Sequence, residues 1–286
     1  ATCWSAYAMP IAILLLLPTT SAGLRVSPGR LQQWTSASDA NMLPSQLFLP
    51  RSSTSALRPV LIFLRGLLEG PFSVMNRQFL PHLLLSNRTF AAAFPFIGIF
   101  PCSRCGVHDT FAERGWVPSN FEKVDRLLKV VIKEHGGDPT RVVLTGESMG
   151  GDGLYRYAQA RRAAPQFAAL VPVCAAMPPP STASGHADLC CRNAAAAAQG
   201  GCCPNIWAFH SANDLFVPVS FSDGWVKRLR ALGKQEVRYT RYDWAPPPPI
   251  AEISQMTGHA SYEYAYREPE LWSWLLEQRC PACAGP

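Results

Sequence analysis

The sequence predicts an α/β protein built on a doubly wound, mostly parallel sheet with helices on both faces. Three observations carry that expectation. Short runs apolar on both faces recur along the chain, helical patterns separate them, and one run ends in a glycine-framed serine, LTGESMGGDG (144–153), that leads straight into a helical pattern.

The runs VLIFL (60–64), FIGIF (96–100), VVLTG (142–146), ALVPVC (169–174) and IWAFH (206–210) have the length and two-sided apolarity of buried parallel strands. After the second run, Phe121, Val124, Leu127, Leu128, Val131 and His135 fall at helical spacing. Ser119 and Asn120 predict the cap in front of them, and Gly136 and Gly137 close the segment. Trp225, Val226, Leu229 and Leu232 repeat the pattern and close at Gly233, followed by a mixed strand, EVRYTRY (236–242). Residues 269–278 open on a proline and set Leu271, Trp272, Leu275 and Leu276 on an amphipathic helix. Two stretches break the rhythm, at about 177–204 and 245–258. Their proline runs predict extended loops after strands, where a surface insertion competes with a lid or substrate wall.

The chain has 286 residues, 48% hydrophobic and 16% charged, enough apolar material for one sizeable core over 23–286. Its net charge of +6 comes from scattered Lys and Arg, which predicts a solvated surface and no nucleic-acid partner. Residues 1–22 contain a short apolar run followed by Thr20-Ser21-Ala22, a pattern that predicts a removed secretory signal; the run is too short to span a bilayer. Ten cysteines, eight of them in the close pairs 102/105, 190/191, 202/203 and 280/283, fit a secreted chain. The two doublets suit either disulfides stapling the insertion or a four-thiolate zinc site, with disulfides favoured; the histidines share no close spacing and predict no other metal centre.

RVVLTGESMGGDGLYRYAQA (141–160) reads as strand, sharp turn and helix, with Ser148 at the turn. Small residues at 146 and 150 let the two backbones pass closely, the turn lifts the hydroxyl over the sheet edge, and the helix N-terminus supplies N–H groups. The competing reading makes Ser148 a helix cap. A serine nucleophile needs a base and the base a carboxylate, and in a fold of this kind the order runs serine, acid, histidine. Asp214 follows the strand that ends at His210, and His259 lies in the loop beyond the next strand; the plainer readings are a turn-forming aspartate and a surface histidine. Glu147 reads as a polar neighbour at the entrance. Trp116, Tyr262 and Tyr264 suit core packing, or else an aromatic pocket.

Over about residues 46–278 the chain resembles the esterase branch of the α/β-hydrolase superfamily, the one that includes feruloyl, acetyl-xylan and polyhydroxybutyrate esterases. The resemblance rests on RPVLIFLRG, FPFIGIFPCSRC, DPTRVVLTGESMGGDGLYRYA, IWAFHSANDLFVPV and GHASYEYAYREPELWSWLLEQR. It implies an α/β-hydrolase fold, Ser148 as nucleophile, Asp214 as acid, His259 as base, the Met149 N–H as one oxyanion donor, and no cofactor. The family's His-Gly-x-Gly is LRGLLEG (64–70) here, with Arg65 for the histidine and Leu68 for the second glycine; the Leu67 N–H is then the second donor. Loss of one such donor costs about 10²–10³ in turnover. The expected function is a secreted carboxylic-ester hydrolase acting on a small or polymeric ester through an acyl-enzyme. A serine peptidase and a silenced binding protein of the same fold are the alternatives.

Overall fold

In the computed structural model, residues 26–35, 41–51, 56–66, 72, 76–103, 115–161, 167–179, 189, 203–233 and 236–281 are described. The proposed signal at 1–22, Leu67, Leu68, Cys105 and nearly all of the 177–204 insertion fall outside them.

Eight strands form one sheet: β1 (Leu31–Thr35), β2 (Ser45–Phe48), β3 (Arg58–Leu64), β4 (Ile97–Pro101), β5 (Gly137–Glu147), β6 (Ala169–Val173), β7 (Asn205–Ser211) and β8 (Val237–Tyr242). Their order is β1-β2-β4-β3-β5-β6-β7-β8. The pairs β1–β2 and β2–β4 are antiparallel, and every pair from β4–β3 onward is parallel. Strands β1 and β2, which were not anticipated, cap one edge of the six that were.

The helices are α1 (Phe79–Ser86), α2 (Arg88–Ala93), α3 (Pro118–His135), α4 (Met149–Ala160), α5 (Ser220–Leu232), α6 (Tyr262–Ala265) and α7 (Pro269–Glu277). Strand alternation splits the core in two. Leu61, Phe63, Val143, Val171 and Phe209 face one cluster with residues of α1, α2, α6 and α7, while Val60, Ile62, Leu144, Leu170 and Ile206 face the other with α3, α4 and α5. Both sheet faces are therefore covered, which is why the strands read as continuous apolar runs.

Helix α3 starts one residue before the expected cap. Pro118 occupies its first turn behind Val117, because a proline needs no N–H partner there; Asn120 instead donates its side-chain amide to the Gly115 carbonyl at 2.6 Å. The loop at 245–258 is not purely surface, since Ile250, Ile253 and Met256 bury into a small cluster of their own around a single 3₁₀ turn at Ala251–Ile253. Trp116 and Tyr262 are core residues, while Tyr264 lies at the surface. Among the described residues no helix is long and apolar enough to cross a membrane.

The chain leaves β3 for β4 on one side and returns to β5 on the other, so the sheet's direction of winding reverses between β3 and β5. Crevices of α/β proteins open at such a point, beyond the carboxyl ends of the strands. Leu64 pairs with Gly146 at this end. A Cβ on Gly150 would lie 1.9 Å from the Leu64 carbonyl oxygen and 2.8 Å from that of Arg65. Gly150→Ala is expected to destabilise the fold by about 3 kcal/mol or more, since rigid backbone must move. Gly233→Ala, where only the left-handed φ of 61° objects and open space surrounds the site, is expected to cost about 1 kcal/mol. Urea unfolding of the two variants measures the contrast.

Candidate active site

Ser148 sits between β5 and α4 with φ 53° and ψ −121°, a conformation L side chains rarely hold. Its surroundings impose that strain. The Ser148 N–H donates to Val173 O at 3.0 Å, continuing the β5–β6 ladder, and its carbonyl accepts from Asp152 N at 3.1 Å and Ala176 N at 3.0 Å. The turn is thus held from β6, from α4 and from the loop after β6. Ser148 stands at the N-cap position of α4 but makes no side-chain capping bond to it, so its hydroxyl is not used to cap the helix. Met149 is the first residue of α4, so its N–H has no acceptor within the helix and is available to a ligand.

Asp214 and His259 come together, 45 residues apart in sequence. The Nδ1 of His259 lies 2.8 Å from Asp214 Oδ2, which makes Nδ1 the protonated nitrogen and leaves Nε2 to exchange a proton. Both residues are buried. His210 adds what the sequence reading missed: its Nε2 lies 3.2 Å from the same Oδ2 and 3.1 Å from Val217 O, while its Nδ1 lies 2.8 Å from Ser222 Oγ. Two acceptors at Nε2 fix that nitrogen as the donor and Nδ1 as the acceptor from Ser222. The N–H groups of Phe216 and Val217 donate to Oδ1 at 2.9 and 2.8 Å. Burial alone would raise the Asp214 carboxyl, but the bonds from His210 and His259, the His259 charge and the Val217 N–H outweigh it and hold Asp214 well below the usual carboxylate range. The spacing of four between His210 and Asp214 across the end of β7 was the available signal.

The loop carrying Asp214 and both ends of the long loop after β8, which carries His259, are laced together around this pair. Leu215 N donates to Thr257 O at 3.1 Å and Ser211 Oγ to Gly258 O, joining the acid loop to the histidine loop. Asn213 and Ala245 exchange two bonds, of 3.0 and 2.8 Å, joining the acid loop to the start of the loop after β8. Ala260 N donates to Pro246 O at 3.1 Å and closes the circuit. Gly258, at φ 77°, has no room for a side chain, because a Cβ would come within 2.1 Å of Asn213 O.

Glu147 is buried at 1% exposure and does not line the entrance. Its carboxylate, the Cys174 thiol and a ring nitrogen of His259 lie within 4.8 Å of one another. That donor set can take a soft divalent cation only by occupying the histidine. Burial pushes the Cys174 thiol well up, with the Glu147 and Asp214 charges adding to it, so this free cysteine stays protonated and is no nucleophile. Arg65 is wholly buried; one guanidinium nitrogen donates to Gly66 O at 2.8 Å, another to Ser103 Oγ at 3.2 Å, and its carbonyl accepts from Trp116 Nε1 at 2.9 Å. It buttresses the loop after β3 from within. Of the acids between Ser148 and His259, Asp152 pairs with Arg156, and Asp223 with Tyr239 and Arg241.

No protein-family model matches the chain, and no curated protein matches it. Solved structures do. A thermostable esterase superposes with a TM-score of 0.58 at 24% identity, over 87% of this chain and 63% of that one, so the chain spans less than two thirds of its length. A carboxylesterase from Lactobacillus plantarum superposes at 0.55 and 18%, over 87% of this chain and 97% of that one. An acylaminoacyl peptidase from Pyrococcus horikoshii superposes at 0.53 and 13%, over 83% and 40%. The shared architecture is the α/β-hydrolase fold.

Two outcomes follow from the bonding of Asp214. Removing His210 as alanine takes one donor from a buried carboxylate and is expected to cost about 1–3 kcal/mol in urea unfolding. Because the folded pKa of Asp214 lies below its unfolded value of about 3.9, its contribution is complete above that pH and lost as pH falls through the folded value. Stability of Asp214→Asn is therefore expected to fall less steeply than wild type below about pH 4, as read by unfolding at a series of pH values.

Proposed function

We propose that this α/β-hydrolase-fold chain is a serine hydrolase that cleaves carboxylic esters, with Ser148 as nucleophile, His259 as base and Asp214 as the acid that orients it. The observation that carries the reading is the coincidence of two costly arrangements at one sheet edge: a serine held at positive φ on a strand-to-helix turn, and a buried carboxylate bonded to His259 Nδ1. The esterase and the carboxylesterase among the similar folds support it.

In this mechanism His259 Nε2 takes the Ser148 proton as Oγ attacks the carbonyl carbon. The oxyanion is received by the Met149 N–H and, as the family resemblance implies, by the N–H of Leu67; donors of this kind act on charge that develops only in the transition state. His259 then passes the proton to the leaving oxygen, an acyl-enzyme remains on Ser148, and water enters by the same route. Asp214 stays ionised throughout and stabilises the imidazolium. Arg65 replaces a histidine in the family pattern, but the donor in that loop is a backbone N–H, so Arg65 serves by holding Gly66 in place. No cofactor enters these steps.

We place the protein in the secretory pathway. The apolar run and small residues of 1–22, and the close cysteine pairs that suit disulfides, support this.

Hydrolysis of p-nitrophenyl acetate tests the reading. Ser148→Ala is expected to abolish turnover, and Asp214→Asn to lower kcat by about 10⁴ with the fold intact. Equal rates for wild type and Ser148→Ala would refute it, and cleavage of peptide amides in preference to esters would assign the site to a peptidase.

A further inference from the structure

We infer that Phe216, with Leu215 beside it, forms the binding surface for the leaving alcohol, and that the site takes esters whose alcohol side is apolar, alkyl or aryl. The inference rests on the hydrolase reading above and adds the substrate class to it.

Leu215 is 81% exposed and Phe216 53%, a large apolar surface for water to meet at a single place. These two side chains are not on a loose loop. Phe216 N–H is bound to Asp214 Oδ1, Leu215 N–H to Thr257 O, and the next residue, Val217, is buried with its own N–H on Asp214. The same bonds that set the acid therefore set the direction of both apolar side chains. The Phe216 ring meets the His259 ring edge-to-face, with centroids 5.3 Å apart.

The chemistry at His259 says what lies over that ring. In acylation the Ser148 Oγ–carbon bond forms, the carbon–oxygen bond to the alcohol breaks, and the proton taken from Ser148 moves from Nε2 to the departing oxygen, which leaves as a neutral alcohol. That transfer requires the leaving oxygen within about 3 Å of Nε2. The carbonyl oxygen points the other way, towards Met149. The first atoms beyond the leaving oxygen consequently emerge beside the imidazole, against the exposed part of Phe216. An alkyl or aryl group there shields surface that is otherwise wet, whereas a heavily hydroxylated alcohol loses hydration against the Leu215 and Phe216 side chains, which offer it no hydrogen bond.

Two ester series test this with the intact protein. Methyl, butyl and hexyl acetate vary the alcohol at nearly constant leaving-group acidity; ethyl acetate, butyrate and hexanoate vary the acyl group. Wild-type kcat/KM is expected to rise about 10-fold or more from methyl to hexyl acetate. Phe216→Ala is expected to flatten that slope while the acyl slope persists, Leu215→Ser to flatten it in part, and Phe216→Leu to keep most of it. If Phe216 merely props His259, Phe216→Ala lowers both series by one common factor, and the inference fails. It also fails if an acetylated xylo-oligosaccharide outpaces hexyl acetate, or if sedimentation shows a wild-type dimer that Leu215→Ser dissolves, which assigns the patch to a second copy. Absence of any Ser148-dependent turnover in the wild type overturns the hydrolase reading itself, an outcome distinct from a flat alcohol series with Ser148-dependent activity intact.

Discussion

The arrangement at this sheet edge depends on one close approach of backbone to backbone. At Gly146 and Gly150 the end of β5 and the first turn of α4 pass against the end of β3 at distances no side chain permits. That contact forces the chain to turn within a single residue, and the residue at the turn is Ser148. Strain of this kind costs on the order of 1–3 kcal/mol and persists only where the surroundings over-determine it. Here β6, α4 and the segment after β6 each hold the Ser148 backbone. Because β3 and β5 flank the point where the sheet reverses its winding, the same contact brings the loop carrying Arg65 and Gly66 beside the serine.

The second half of the site is organised by Asp214 in much the same spirit. A buried carboxylate must be fully bonded, and each of its oxygens finds two donors, drawn from the end of β7, from its own loop and from the loop after β8. In meeting that requirement the protein fixes the tautomer of His259, the orientation of His210 and the outward direction of Leu215 and Phe216. A buttressed carboxylate, a set imidazole tautomer and an outward-facing apolar pair follow from a single group's need for partners.

Much of the layout was legible from sequence because its signals are local. The six parallel strands announced themselves as apolar runs, since helices cover both faces and no strand residue needs to be polar. The strand–turn–helix around Ser148 was legible because Gly146 and Gly150 frame it within five residues, although much of the backbone they meet, at Leu64 and Arg65, lies far away in sequence; Asp214 and His259 were legible because chain order in this architecture is constrained. What escaped depends on contacts distant in sequence. Strands β1 and β2 are short, and their assignment comes from antiparallel pairing, of β2 to β4 and of β1 to β2. Pro118 outcompeted the expected serine and asparagine cap, since its fixed φ starts the helix earlier. Glu147 looked like an entrance residue, yet strand alternation turns it inward beside Cys174 and His259. His210 was seen as the end of a strand; only folding shows that it shares Oδ2 with His259.

The central claim is that Ser148 is activated by its surroundings, and covalent trapping reads this most directly. Folded protein treated with a fluorophosphonate at neutral pH, digested and mapped by mass spectrometry is expected to carry a single phosphonyl adduct, on Ser148 in the 142–156 peptide, and none when Ser148 is replaced by alanine. Folded protein that takes no label, or takes it at another residue, would contradict the account.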